Sequence, residues 1–277
     1  MRVLVIGTGL FGSIIAQHLR CQGREVVTAD CGKKEAGSGP AACLIKPSWL
    51  GSMEKQQTEA SLSLLDQHYG VTDLDFQVGL GVTNKVHWVN PSLILRQPDI
   101  IGTWDGKYQA EGEKFTTCFI KHDRTWGVVK DIDRIIVAAG VWTFQLLGYN
   151  GAEMSGQAGQ SHLYFGQVAA PFIKVWAPYK QLVGFNRTGT HIWVGDGASI
   201  KQKNWTAEYS LKNTVRCNAA VPHNMRTRSM YGVRPYVKGA KPCFMEEVRP
   251  RVWAVTGGAK NGTVAAGWAA HHLGNVL

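Results

Sequence analysis

The sequence predicts an α/β fold that begins with a parallel strand, a glycine-rich turn and a helix. Residues 3–6 form an apolar run of the kind found in strands that are buried on both faces. Gly7, Gly9 and Gly12 follow at G-x-G-x-x-G spacing, and a second apolar run ends at Asp30. This combination predicts a dinucleotide-binding βαβ unit, although an ordinary βαβ unit with a glycine-rich turn would share the pattern.

Each glycine of the turn has a separate expected role. Gly7 allows the tight turn, Gly9 lets a pyrophosphate approach the backbone, and Gly12 lets the helix pack closely on the strand. The N–H groups at the helix start, around Leu10 and Phe11, attract phosphate. Asp30 follows Gly12 by the interval of about 20 residues at which this motif places a ribose-binding carboxylate.

The rest of the chain predicts interwoven units rather than two consecutive ones. A helix is expected at 48–69, because Leu62, Leu65 and Tyr69 recur at helical spacing. Strands separated by turns are expected at 91–131 and at 162–197, where 181–185 and 191–197 flank a hairpin turn. Further expected elements are a strand at 132–139, a helix at 205–219, and a closing strand and helix within 252–273.

Four blocks, in order along the chain, resemble the D-amino acid oxidase superfamily, which includes glycine oxidase and sarcosine oxidase. They are AGSGPAACLIKP (36–47), IDRIIVAAGVWT (132–143), GVRPYVKGAKPCF (232–244) and VWAVTGGAKNGTVAAGWAAHHL (252–273). Each block alone has a local explanation as a loop, a strand end, a turn or a helix cap. Together they favour the superfamily, and the resemblance implies FAD rather than NAD as the cofactor.

The resemblance implies two interwoven domains. A Rossmann-type FAD-binding domain would comprise 1–72, 118–152 and 243–277. An antiparallel-sheet substrate domain, of the D-amino acid oxidase-like kind, would comprise 73–117 and 153–242. Because superfamily members are usually longer, we expect a reduced substrate domain and a more open flavin face.

The resemblance also implies which residues contact FAD. Small residues of the first block, 36–47, would run beside the flavin ring, and N–H groups at the start of the last helix would stabilise negative charge on it. Besides Gly7, Gly9, Leu10, Phe11, Gly12 and Asp30, the expected FAD contacts are Cys31, Ser38, Gly39, Ala41, Ala42, Leu44, Ala139, Gly140, Trp142, Gly258, Asn261, Gly262 and Thr263.

Two cations are the expected catalytic residues. In glycine-oxidase-like enzymes the substrate carboxylate is held by cationic side chains, and the arginine of G-x-R-P falls on Arg234. The second cation falls on Lys260, where such members carry arginine, so the carboxylate geometry there differs. A surface salt bridge is the alternative role for Arg234.

The charge and cysteine content of the chain indicate which partners and which cellular compartment to expect. The 277 residues carry 30 Lys and Arg against 20 Asp and Glu, a formal net charge of +10. This excess favours a polyanionic partner, although solubility alone could account for it. The six cysteines form no C-x-x-C pair, which predicts reduced thiols and a cytoplasmic location, in the host cytoplasm for a phage-encoded protein. We expect no metal site and no membrane span.

The chain has 10 tryptophans, several of them near cations, such as Trp126 near Lys121 and Trp205 near Lys203. Interleaved aromatic and cationic side chains suit stacked bases and phosphates, whereas core packing is the alternative for any single tryptophan. Arg226 and Arg228 extend this cationic stretch toward Arg234.

Three functions remain open at this level. The first is an FAD-dependent lyase that oxidises a glycine-like unit on a nucleic-acid base, releasing glyoxylate and leaving an aminomethyl group. It resembles the glycine-oxidase-like lyases of bacteriophage thymidine hypermodification, which act on DNA, and the FAD domain of enzymes that modify the tRNA wobble uridine. The second is an oxidase of free glycine, sarcosine or D-amino acids, with molecular oxygen as electron acceptor. The third is a flavoprotein without activity, or a degenerate binding module.

Overall fold

The computed structural model describes residues 1–32, 38, 41, 43–45, 53–78, 81–121, 123–165, 172–175, 182–184, 191–195 and 228–277. In the first half of the chain these residues form β1 Arg2–Ile6, α1 Leu10–Cys21, β2 Glu25–Asp30, β3 Leu44–Ile45, α2 Lys55–Tyr69, β4 Thr72–Val78, β5 Gly81–Trp88, α3 Pro91–Ile94, β6 Ile100–Thr103, β7 Gln109–Glu111, β8 Lys114–Lys121, β9 Trp126–Ile132 and β10 Arg134–Val137. In the second half they form α4 Thr143–Leu147, β11 Met154–Phe165, β12 Phe172–Val175, β13 Leu182–Gly184, β14 His191–Gly195, β15 Arg228–Val237, β16 Phe244–Arg249, β17 Val252–Thr256 and α5 Gly262–Val276.

The first sheet has a parallel core, as the sequence predicts. Five strands run parallel in the order β17-β10-β1-β2-β6, and β16 adds an antiparallel edge beside β17. Beyond β6, the antiparallel strands β7, β8 and β9 continue the pairing. The predicted α/β fold is confirmed.

One face of the parallel sheet is covered by helices. Because side chains alternate along a strand, Val3 and Val5 of β1 point to the same face. They pack with Ile15 of α1, Leu65 of α2 and Ala266 of α5, all of them buried. Full burial of each large apolar side chain contributes about 1.5–3 kcal/mol, which explains why the three helices stay on this face.

The antiparallel strands β8 and β9 cover the other face. Leu4 and Ile6 of β1 pack there with Phe119 of β8 and with Val129 and Ile132 of β9. The apolar run of β1 is therefore buried on both faces, as its lack of alternation predicts.

The second sheet is mostly antiparallel. Its strand order is β15-β11-β14-β13-β12-β4-β5-β3, with one parallel pair, β12 and β4. The predicted hairpin between 181–185 and 191–197 is confirmed as far as β13 pairs antiparallel with β14. Its turn and the predicted helix at 205–219 lie outside the described residues.

The predicted start of α2 was wrong. The helix begins at Lys55, whereas the prediction began at 48; Met53 and Glu54 precede the helix, and 48–52 lie outside the described residues. The Glu54 N–H donates to Gln57 Oε1 at 3.1 Å, a capping-box contact that fixes the first turn. Gly70, at φ 73°, ends the helix as predicted.

The proposed domain division stays a prediction, and the sheets refine it. Residues 73–117 were placed with the substrate domain, yet β6 pairs with β2, and β7 pairs with β8, both within the first sheet. The pairing therefore favours assigning 100–117 to the nucleotide-binding unit.

Candidate functional site

A cavity of about 880 Å³ is bounded by both sheets. Its wall combines the turn after β1, the end of β2, the turn after β10, the strands β11 and β15, and the start of α5. The volume lies in the upper part of the range of about 300–1,000 Å³ that is typical of cofactor and ligand sites.

The glycine turn is built so closely that side chains are excluded. Gly7 has φ 96°, and a Cβ there would lie 2.5 Å from the Ala138 carbonyl oxygen. A Cβ on Gly12 would lie 1.7 Å from the Gly7 carbonyl oxygen. Gly12 therefore sits beneath the turn and allows α1 to pack, whereas Gly7 and Gly9 line the cavity.

Ser38 ties the loop after β2 to the start of α1. Its Oγ accepts a hydrogen bond from the Leu10 N–H at 2.8 Å, and a Cβ on Gly9 would lie 2.7 Å from that oxygen. Ser38 and Ala41 both line the cavity. Gly39 and Ala42, which were predicted alongside them, lie outside the described residues.

The Asp30 carboxylate at the end of β2 is held rigidly at the cavity wall. Its Oδ2 accepts from the Thr8 N–H at 2.6 Å and from Thr8 Oγ1 at 3.1 Å, and its Oδ1 accepts from the Gly32 N–H at 2.6 Å. A carboxylate has about four lone-pair sites. Among the described residues, these three contacts leave about one lone-pair site for a ligand hydroxyl.

The start of α5 forms another part of the wall. Asn261, Gly262 and Thr263 line the cavity, and the first turn carries no acidic residue. The first turn of α1 likewise has none. Two electropositive helix starts therefore border one cavity, which favours an anionic ligand.

Gly258 lies where α5 meets the glycine turn. A Cβ there would come within 2.9 Å of the Phe11 ring and of the Gly262 Cα. Lys260, the second predicted cation, lies in the 3₁₀ turn Ala259–Asn261, and its side chain lies outside what the structure describes.

Arg234 lies on β15, where it faces the cavity. It pairs across the strands with Gln157 of β11, and both residues line the cavity. Arg234 is half-buried, and its guanidinium extends over Gly159, where an added Cβ would lie 3.1 Å from Nη2. The site thus presents a cation in a sheltered position.

All the predicted site residues that the structure describes with their side chains line this cavity, except Gly12. The motif reasoning missed several other lining residues, among them Thr103, Trp104, Phe119, Gln145, Gln157 and Thr256. Thr103, Trp104, Phe119 and Gln157 lie on or beside strands outside the four blocks, so only the pairing of the strands places them; Gln145 lies on α4, and Thr256 ends β17 within the fourth block. Their binding roles, like those of the predicted residues, stay predictions.

Cys43 is a buried thiol on the cavity wall. Desolvation by burial raises its pKa to about 12, and the Thr263 hydroxyl opposes this rise through a hydrogen bond. The thiol is therefore neutral and unreactive at physiological pH. The predicted FAD contacts Cys31, Leu44, Ala139, Gly140 and Trp142 also lie on the cavity wall.

The tryptophans that the structure describes differ in burial. Trp88 and Trp104 are buried in the core, in line with the packing alternative, whereas Trp126 is 63% exposed on β9. At the cavity itself, Tyr236 is 41% exposed. Trp205 and Arg226 lie outside the described residues.

Two absences hold for the residues that the structure describes. No helix there has the length and apolar character needed to cross a membrane. His, Cys, Asp and Glu side chains in those ranges form no group of three or more that could hold a metal ion.

Comparison with known proteins identifies structural likeness only. No protein-family model and no curated protein matches the sequence. Iminodiacetate oxidase from Chelativorans sp. BNC1 is 16% identical, with a TM-score of 0.67 over 99% of this chain and 95% of that chain. Glycine oxidase from Bacillus cereus is 15% identical, with a TM-score of 0.66 over 99% of this chain and 94% of that chain.

A third similar structure is glycerol-3-phosphate dehydrogenase from Bacillus halodurans complexed with FAD. It is 12% identical, with a TM-score of 0.58 over 96% of this chain and 62% of that chain. At these identities the comparisons establish that the fold is shared.

Proposed function

We propose that the cavity binds FAD and that the protein is an FAD-dependent oxidoreductase. The glycine turn leaves no room for a Cβ at Gly9, and two helix starts without acidic residues border the cavity. The Asp30 carboxylate on the cavity wall can accept a hydrogen bond from a ribose hydroxyl. These features fit the pyrophosphate and ribose of a dinucleotide. A protein of the same fold complexed with FAD supports the choice of cofactor.

The observation that supports the substrate class is that Arg234, a half-buried arginine, lines the cavity. A guanidinium binds a carboxylate through two parallel hydrogen bonds, and partial burial strengthens them. We infer a substrate with a carboxylate next to an amine, that is, a glycine-like unit. The names of two structural neighbours, an iminodiacetate oxidase and a glycine oxidase, agree with this class.

The reaction would be oxidation of the substrate Cα–N bond. When bound, FAD supplies the acceptor for the two electrons, and molecular oxygen is the proposed final acceptor. The C–N single bond becomes an imine with loss of two electrons and two protons. Water then adds to the imine and releases glyoxylate and the amine. The protein itself would hold the substrate carboxylate at Arg234 and shelter the reacting carbon from water.

The glycine-like unit is further proposed to be attached to a nucleic-acid base, as in glycyl-modified thymidine in DNA. The net charge of +10 supports a polyanionic substrate. Tyr236, two residues from Arg234 on β15 and 41% exposed at the cavity, offers a ring on which a base could stack. The base would have to leave the duplex stack to reach the cavity, and the product would carry an aminomethyl group.

The alternative is an oxidase of free glycine, sarcosine or D-amino acids that produces peroxide. The observation in its favour is that Arg234 and the sheltered cavity satisfy a free amino acid without any polymer. Under this alternative the basic charge serves solubility.

Both functions are tested with the FAD-loaded protein in air. Glyoxylate and peroxide are measured with glycyl-modified DNA, free glycine and sarcosine supplied separately, and Arg234→Met is the control. Glyoxylate from the DNA alone supports the nucleic-acid substrate, and rapid peroxide release from free glycine or sarcosine alone supports the alternative. Protein that never retains FAD would contradict both.

A further inference from the structure

The side chain of Gln157 on β11 contains a polar atom that lacks a partner among the described residues. Its Oε1 is buried, forms no hydrogen bond with any of them, and belongs to a residue that lines the cavity. A buried acceptor without a donor destabilises the folded state, so such groups are uncommon and call for an explanation. An acceptor on a cavity wall is explained if the missing donor belongs to the ligand.

The register of the strands places this acceptor beside the proposed carboxylate anchor. Gln157 and Arg234 are directly paired between β11 and β15, and side chains paired in this way project to the same face with Cβ atoms about 4.5–5.5 Å apart. The Arg234 guanidinium extends over Gly159. The two side chains therefore present an amide oxygen and a cation at neighbouring points of one wall.

This pair of groups matches an amino acid. In a glycine-like unit one carbon separates the carboxylate, which needs donors, from the amine, whose N–H needs an acceptor. We propose that Gln157 Oε1 accepts a hydrogen bond from the substrate amine while Arg234 holds the carboxylate. Contacts at both ends of the unit fix the carbon between them, which is the carbon to be oxidised.

This inference rests on the proposed function and adds a specificity rule to it. Ligands that carry both an amine and a carboxylate would use both contacts, whereas simple carboxylates would use Arg234 alone. The amine contact would thus discriminate amino acids from the many carboxylates that lack nitrogen.

The test compares two classes of ligand on the FAD-loaded protein: acetate, which lacks an amine, and ligands that carry both an amine and a carboxylate. Acetate binding is followed by its perturbation of the visible flavin spectrum, and glycine, sarcosine and a glycyl-modified oligonucleotide are followed by anaerobic loss of flavin absorbance against concentration. The variants are Gln157→Met and Gln157→Leu, which remove the acceptor. Ser155→Ala, also on β11 but outside the cavity lining, is the matched control.

We expect both Gln157 variants to lose about tenfold in apparent affinity for the amine ligands, with acetate affinity changed less than about twofold. Loss of the unpaired oxygen should leave the melting temperature unchanged or raised. Equal losses for acetate and amines, no loss for either, or a shifted flavin spectrum before any ligand is added would each overturn the assignment. Wild-type protein that binds neither FAD nor acetate would instead show that the proposed function itself has failed.

Discussion

At the scale of single residues, Arg234 has a clear expected effect on the substrate. Its guanidinium can make two parallel charge-assisted hydrogen bonds to a carboxylate, whereas the lysine ammonium is a point charge. Arg234→Met should weaken carboxylate binding about 100-fold, and Arg234→Lys about tenfold. Binding is measured by spectral titration with acetate.

Whether the Arg234 variants still bind FAD shows whether Arg234 binds the substrate carboxylate or supports the fold. Both Arg234 variants should keep a normal flavin spectrum and melting temperature. Loss of FAD from the lysine variant would mean that Arg234 supports the fold or the cofactor rather than the substrate.

Asp30 has a different expected effect, because its carboxylate accepts hydrogen bonds from Thr8 and so stabilises the glycine turn. Asp30→Ala removes the acceptor of the Thr8 N–H and Oγ1 hydrogen bonds and should cost about 1–3 kcal/mol of folding free energy. FAD affinity should fall as well, measured by fluorescence titration.

Asp123 offers a matched control for Asp30. It accepts from the Thr125 N–H at 2.9 Å and from Thr125 Oγ1 at 2.6 Å, the same pattern in an exposed turn away from the cavity. Asp123→Ala should leave FAD affinity unchanged. An equal loss of FAD affinity in both variants would contradict a site role for Asp30.

Some of these site residues can be predicted from the sequence and others cannot. Gly7 and Asp30 are predictable because motif spacing along one βαβ unit fixes their positions. Arg234 is predictable through its G-x-R-P context. Gln157 is not, because only the register between β11 and β15 brings it beside Arg234, and no local pattern encodes that register.

At the scale of elements, the β11–β15 pair positions the anchor. A Cβ on Gly159 would press on the Arg234 guanidinium, whereas the backbone at Gly159 accepts alanine without strain. Gly159→Ala should therefore lower acetate affinity about threefold to tenfold through displaced guanidinium hydrogen bonds, with little change in melting temperature.

Gly127→Ala is the control for that substitution. Gly127 lies on β9, where a Cβ would meet the Lys121 Cε at 3.0 Å, another flexible cationic side chain. The Gly127→Ala substitution should leave acetate affinity unchanged. A melting temperature lowered equally by both, with acetate affinity intact, would refute the positioning role of Gly159.

The contact among α1, α2 and α5 predicts a pH dependence of stability. His18 Nδ1 lies 3.0 Å from His68 Nε2, and a Cβ on Gly274 would lie 2.5 Å from His18 Nε2, so the ring is enclosed. Desolvation lowers the pKa of His18 from 6.5 to about 4, and repulsion from His68, His271 and Arg24 adds to the shift.

The sign follows from the proton balance. Between pH 6.5 and about 4 the unfolded chain binds a proton at His18 that the folded protein does not, so the free energy of unfolding decreases as the pH falls through this window. Melting temperatures measured across it should fall less steeply for His18→Gln, which cannot titrate. Identical slopes for the two proteins would contradict this account.

Element boundaries show where sequence patterns reach their limit. The periodicity of Leu65 and Tyr69 identifies α2, but its start depends on the Glu54–Gln57 cap rather than on apolar spacing. β6 joins the first sheet by pairing with β2, a contact distant in sequence that composition does not reveal.

At the scale of the whole molecule, the order of the motifs was more informative than any one motif. The strand and turn signals at both ends and in the middle of the chain meet in one parallel sheet, and the site lies where their loops converge. This convergence is predictable, because ligand sites in such sheets form at the carboxyl ends of the strands. Net charge is a property of the whole chain and does not specify the substrate.

The most direct test of the central claim is anaerobic mixing of the FAD-loaded protein with a glycine-like ligand while the visible flavin absorbance is followed. Glycine, sarcosine and glycyl-modified thymidine in DNA are added separately, to wild type and to Arg234→Met. The account predicts that at least one of these ligands bleaches the wild-type flavin, and that the variant retains FAD but fails to bleach. A flavin that stays oxidised with all three, or equal bleaching of the variant, would contradict it.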